Sequence, residues 1–130
     1  MGLFFNKVVK EDTPSLKQLE AVKSQYILDS LKNSVAFIEF SPDGIILDAN
    51  PNFLNVVGYS LGEIKGEHHS IFCDKSYIES QDYKQFWQRL ASGQSMSDRF
   101  LRFTKDSRAI WLEASYNAVK NEHGQISSVV

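Results

Sequence analysis

The chain has one cysteine, Cys73. It cannot close an internal disulfide or build a Cys-rich zinc site, so disulfide scaffolds and zinc fingers are excluded, and a reducing cytoplasm is the expected location. A basic excess is also missing: 14 Lys+Arg stand against 16 Asp+Glu, a net charge of -2, which argues against nucleic acid as a partner. No apolar run approaches the roughly 20 residues that cross a bilayer. The start MGLFFNKVVK lacks the apolar core of a secretory signal, and Asn6 stands where myristoylation needs Ser or Thr. There is no Gly-rich phosphate loop, no His-Glu-x-x-His and no calcium loop. What remains is 130 residues, 42% apolar and 12% aromatic, about one globular domain and too aromatic for wholesale disorder.

Periodicity divides this length. Leu3, Phe4 and Phe5 form a small apolar patch at the start. Thr13 is placed to cap a helix and Pro14 suits its first turn. Leu16, Leu19, Val22, Tyr26, Ile27 and Leu31 follow at three- and four-residue steps, an amphipathic stripe that packs on its own domain or pairs with a second chain. From Val35 the period changes. Val35 to Phe40 and Ile45 to Ala49 read as strands around the Ser41-Pro42-Asp43-Gly44 turn. Asn50-Pro51 opens a helix ending at Gly58, and Ser60 with Glu63 forms a capping box for another, with Gly66 as its stop. The stretch from Glu67 to Glu79 has no clean period and reads as loop and short turns. Tyr83, Phe86, Trp87 and Leu90 mark a helix. Met96 to Phe103, Ala109 to Val119 and Gln125 to Val130 read as strands. Hairpins at both ends with helices between predict an α+β fold, an antiparallel sheet with helices on one face. The expected organisation is an N-terminal segment over 1–34 and a domain over 35–130, with the last strand cut short.

Four pieces of this series resemble a PAS domain. They are the hairpin from Phe40 to Asn50, the helix from Pro51 through Gly58-Tyr59-Ser60, the step Glu63-Ile64-Lys65-Gly66, and the turn Lys105-Asp106-Ser107 leading to Trp111-Leu112-Glu113-Ala114. The segment Gly66 to Asp74, with Tyr83 to Leu90 and Ser115-Tyr116-Asn117, is similar to PAS domains of methyl-accepting chemotaxis transducers of the aerotaxis and biofilm-dispersion kind. The resemblance implies a five-stranded antiparallel sheet with helices over one face and a cleft between them. It also implies a sensor or signal relay that passes a conformational change to an output domain outside this chain. Where family members carry Gly, this chain has Ser107, so a left-handed backbone there is strained or avoided.

The candidate site residues follow from this cleft. His68 and His69 are candidate ligands of haem iron, one of them facing inward, since neutral imidazole is a good axial ligand. The other reading of either is a histidine hydrogen-bonded to backbone. A flavin such as FAD is the second cofactor implied by the family, and a cleft without cofactor is the third reading. Trp87 and Phe100 belong to an aromatic set that either lines a pocket or forms ordinary core, and Asn117 is a candidate polar contact. Cys73 has no visible base or oxyanion donors, so a role other than an enzyme is expected. Self-association through the N-terminal helix, as a homodimer or docking module, is the alternative function.

Overall fold

The computed structural model describes residues 13–130, so Leu3, Phe4 and Phe5 lie outside the described residues. The chain divides into two units, Met1–Lys32 and Asn33–Val130. Helix α1 spans Leu16–Ser34. Its cap is Ser15 rather than Thr13: Gln18 N–H donates to Ser15 Oγ at 3.2 Å, and Ser15 N–H donates to Gln18 Oε1 at 2.7 Å. Ser-Leu-Lys-Gln has the spacing of a capping box, which satisfies two orphan donors at once, and Thr13 offers no such pair. None of the helix's residues is buried.

In the second unit, β1 (Ile38–Phe40) and β2 (Ile46–Ala49) form the expected hairpin. β1 is shorter than the apolar run from Val35. Asn50 explains this, because its side chain accepts from Phe37 N–H at 2.9 Å and donates to the Val35 carbonyl at 2.6 Å. Backbone groups held by a side chain cannot also join a ladder. The same Oδ1 caps α2 (Pro51–Val57) by accepting from Phe53 N–H at 3.0 Å. α3 (Leu61–Ile64) starts with the Ser60–Glu63 capping box. The loop after it contains a 3-10 turn, His69–Phe72, and a short helix α4, Lys75–Ile78. α5 (Gln81–Ala91) buries Tyr83, Phe86, Trp87 and Leu90, the four residues its period singled out.

β3 (Met96–Phe103) and β4 (Ala109–Tyr116) pair antiparallel along their whole length. β5 (Ala118–Lys120) and β6 (Ile126–Val129) complete a sheet in the order β2-β1-β6-β5. The single strand expected from Ala109 to Val119 is therefore broken at Asn117. There its backbone exchanges hydrogen bonds with Val130, at 2.7 and 2.9 Å. The break leaves six strands, four in one sheet and two in the other; β4 and β5 read as one run across Asn117 correspond to the five that the resemblance implies. Alternation turns Ile110, Leu112, Ala114 and Tyr116 away from the exposed Trp111 face. The core forms on that inner side from Phe40, Ile46, Phe53, Val57, Ile64, Phe72, Leu90 and Val129. Each such side chain contributes roughly 1.5–3 kcal/mol by leaving water.

Ser107 adopts the left-handed backbone, with φ 64°. The turn holds it there: Ser107 N–H donates to the Thr104 carbonyl at 2.9 Å, and Arg108 N–H donates to Thr104 Oγ1 at 3.1 Å. Glycine would relieve about 1–2 kcal/mol of strain and lose about 0.5–1 in chain entropy. Ser107→Gly is thus expected to raise stability by about 0.5–1 kcal/mol in urea unfolding. A loss of stability would show that the turn is not strained.

Candidate functional site

The 3-10 turn puts two adjacent histidines in different surroundings. His68 is half-buried, and its Nδ1 accepts from Ser70 N–H at 3.0 Å. Its Nε2 must then carry the hydrogen, which goes to the Asp43 carbonyl at 3.0 Å. His68 thereby ties its turn to the β1–β2 turn, a link extended by the bridge between Ile45 and His68.

His69 is 1% exposed. Its ring lies 5.3 Å from those of Phe40 and Trp87, 5.6 Å from Tyr116, 5.8 Å from Phe86 and 5.9 Å from Tyr83, centroid to centroid. Nδ1 is 2.9 Å from Tyr83 Oη, and Nε2 is 3.0 Å from Tyr116 Oη. The direction of these bonds follows from Arg102. Arg102 Nη2 and Nε donate to Tyr116 Oη at 3.1 and 3.4 Å, so the Tyr116 hydroxyl proton is directed to His69 Nε2. Nδ1 then carries the ring hydrogen and donates to Tyr83. The result is a line of donors, Arg102 to Tyr116 to His69 to Tyr83, running from β3 through β4 and the 3-10 turn to α5.

Burial holds the His69 pKa well below the usual histidine value of 6.5, with the Arg102 charge acting in the same direction. Burial likewise pushes the Tyr83 and Tyr116 hydroxyls up, so all three groups stay neutral. Cys73 Sγ lies 3.6 Å from His69 Nδ1, and burial raises its pKa, so it remains a thiol.

The expected site residues are therefore not gathered as one ligand set. Both ring nitrogens of His68 and of His69 are engaged by protein groups, so neither presents a lone pair for an axial bond, and the haem reading has no support. Among the described residues no cluster of three or more His, Cys, Asp or Glu could hold a metal ion. Trp87 is core, and its indole N–H is buried without an acceptor among the described residues. Phe100 packs edge-on to Phe86 and Tyr116, at 5.9 and 5.0 Å. Asn117 is exposed and bonds to the Val130 carbonyl at 3.4 Å, because the residue after inward-facing Tyr116 points to the other face. The interior between the sheet and the helices retains a cavity of about 20 Å³ beside Phe40, Phe53, His69 and Phe72. That is room for about one water, against the roughly 300–1,000 Å³ of small-molecule pockets. No space for a haem ring is preformed in this packing.

Arg102, 3% exposed, is the residue that sequence reasoning missed. It had a signal: on β3 it shares a face with Met96 and Phe100, where an apolar residue is expected.

Comparison with known proteins gives a consistent picture. The family described as PAS fold matches residues 46–130. The biofilm dispersion protein BdlA of Pseudomonas aeruginosa is 46% identical over 101 residues, covering 78% of this chain and 24% of that protein. The chain thus spans about a quarter of the length of this curated relative. An RNA-binding light-oxygen-voltage receptor superposes with a TM-score of 0.70 at 20% identity, over 93% of this chain and 35% of its own. A light-oxygen-voltage domain studied with a flavin analogue gives 0.66 at 19% identity, over 84% and 82% of the two chains. A domain of a sensory box sensor histidine kinase/response regulator from Geobacter sulfurreducens gives 0.68 at 15%, over 85% and 94%. At these identities the structures speak for the fold alone.

Proposed function

Because the chain belongs to the PAS-fold family, we infer that it is a cytoplasmic sensor and relay module of a chemotaxis-type transducer, and not an enzyme. The likeness to the biofilm dispersion protein supports a place within a longer signalling protein, with an output domain beyond this piece. Among the described residues no helix is long and apolar enough to cross a membrane.

The observation that carries the reading is the buried line Arg102–Tyr116–His69–Tyr83. A buried polar network is costly to leave half-satisfied, so its members move together. It therefore supplies a two-state element through which a ligand-induced displacement at the helices reaches the sheet, provided the ligand binds the two states with different affinity. A flavin would act here only after repacking of the interior, so a small molecule is the input we favour.

The test is propagation. Tyr83→Phe removes the acceptor of His69 Nδ1–H without emptying the site. Backbone NMR shifts are expected to change on β3 and β4 around Arg102 and Tyr116 as well as on α5. Changes confined to α5 and the 3-10 turn would sink the relay.

A second reading, self-association, is favoured by one feature. Leu16, Leu19, Val22, Tyr26 and Ile27 on α1 are all exposed, at 50% or more. Pairing with the same stripe of a second chain would cover them. In sedimentation the intact chain is then expected to dimerise, and Leu19→Glu with Ile27→Glu to leave a folded monomer. A monomeric parent chain dismisses this reading.

A further inference from the structure

Among the described residues no anion forms an ion pair with the buried Arg102. The ion pairs among the described residues are Lys105–Glu63 and His123–Glu122, and neither involves it. Guanidinium groups taken out of water are almost always paired with a carboxylate or phosphate, because desolvating a lone charge is expensive. Part of that cost is offset by aromatic faces. The Arg102 guanidinium lies 5.0 Å from the centre of the Phe100 ring, and 5.9 Å from those of Phe86, Tyr77 and Tyr116. Its hydrogen bonds remain incomplete. Nη1 donates to the Leu101 carbonyl at 2.8 Å, and Nε and Nη2 donate to Tyr116 Oη. Two of the five guanidinium N–H groups have no acceptor among the described residues, as many as one carboxylate accepts in a bidentate pair.

Arg102 also borders open space. A cavity of about 390 Å³ lies between β3 and the segment that carries α4 and the start of α5. This is the size of a small-molecule site and separate from the filled interior beside His69. Its wall is apolar where Tyr77, Phe100 and Phe103 face it, and Asp74, Asp82, Asp98 and Arg99 also line it. Three carboxylates against Arg99 and Arg102 leave the lining with a net charge of -1, which disfavours a multiply charged anion such as a phosphate or a dicarboxylate. A single carboxylate on an apolar body fits both the unpaired guanidinium and the aromatic wall.

We propose that this cavity is a binding site for a small monocarboxylate, anchored by a bidentate pair to Arg102. The proposal rests on the relay reading and deepens it, because Arg102 is the first donor of the line to His69. A carboxylate that draws the guanidinium from Tyr116 Oη changes the hydrogen bond Tyr116 offers to His69.

The experiment titrates the intact chain with acetate, butanoate, hexanoate and phenylacetate, each beside its uncharged amide, at fixed pH and ionic strength. The readout is the Arg102 Nε–H resonance. At least one carboxylate is expected to give a saturable shift, with its amide at least tenfold weaker. Arg102→Gln is expected to abolish the shift of neighbouring Phe100 amide signals. Since that variant alters a buried residue, Asp82→Asn at the rim provides a second arm, expected to tighten carboxylate binding two- to fivefold at low salt. No saturable shift with any carboxylate, equal binding of the amides, or unchanged affinity in a folded Arg102→Gln overturns the proposal. If Tyr83→Phe still propagates to β3 in that event, the ligand assignment has failed and the relay has not.

Discussion

His69→Ala is expected to destabilise the domain by about 4 kcal/mol. Two contributions make up this figure. Removing a fully buried ring of this size leaves a cavity worth roughly 2–3 kcal/mol. The Tyr83 and Tyr116 hydroxyls then lose their shared partner inside the core, at about 1–3 kcal/mol between them. Urea unfolding of the variant against the parent measures it directly. A loss under 1 kcal/mol would mean that water replaces the ring at little cost, and the site would then not be the organising point of the core.

The same residue sets a pH dependence. Its pKa in the folded chain is depressed from the ordinary 6.5, so the unfolded chain takes up a proton that the folded one refuses. Stability is therefore level above about pH 6.5 and falls as the pH drops toward the folded value, with a limiting slope of about 1.4 kcal/mol per pH unit. Carboxylates enter lower: Glu63, held down to about 2 by its Lys105 partner, loses its contribution only as pH falls from about 4.5 toward that value. The window from pH 6.5 to 5 thus lies above the Glu63 titration. His69→Gln should flatten the stability profile there, and an unchanged slope would assign the titration to another group.

Gly44→Ala is the second large effect, expected at about 3 kcal/mol. Gly44 has φ +90°, in the region that L side chains avoid. A Cβ there would also stand 2.6 Å from His68 Nε2 and 3.1 Å from the Trp87 ring. Backbone strain of about 1–2 kcal/mol adds to an overpacking cost of about 1–3. The His68 ring has to leave the Asp43 carbonyl, so its Nε2–H signal should move in the NMR spectrum with the loss of stability. A stable variant with an unmoved His68 signal would show that the turn has slack. The result bears on function because His68 is the clasp that fixes the 3-10 turn, and this turn carries His69 into the core.

Local chemistry made the element order legible. Asn50-Pro51, the Ser60–Glu63 pair and the i, i+3, i+4, i+7 set from Tyr83 to Leu90 each state a helix through its own cap or period, and the structure has all three. At Ser107 the resemblance implied a left-handed backbone either strained or avoided, and the structure has the left-handed one. Where a boundary moved, a competing partner moved it. Ser15 took the α1 cap from Thr13, and Asn50 held back the start of β1. Asn117 broke β4 where its backbone turned to Val130.

The site was legible only as a list of residue types. The sequence alone determined that His68 and His69 are adjacent, that at most one faces inward, and that aromatic side chains are plentiful nearby. Caps, turns and periods, which act over a few residues, determined the α+β element order, and the resemblance of the motifs to PAS domains implied the fold. Tertiary structure alone decided that His69 lies between Tyr83 and Tyr116, residues 14 and 47 positions away, and that both its nitrogens are thereby engaged. It also decided that Arg102 is buried against Tyr116 with no ion pair among the described residues, and that the interior is filled while the cavity along β3 is open. The physical reason is range. Backbone preferences and caps are set by near neighbours in the chain, whereas desolvation, ring packing and the pairing of buried charge depend on segments that meet only once the sheet has formed.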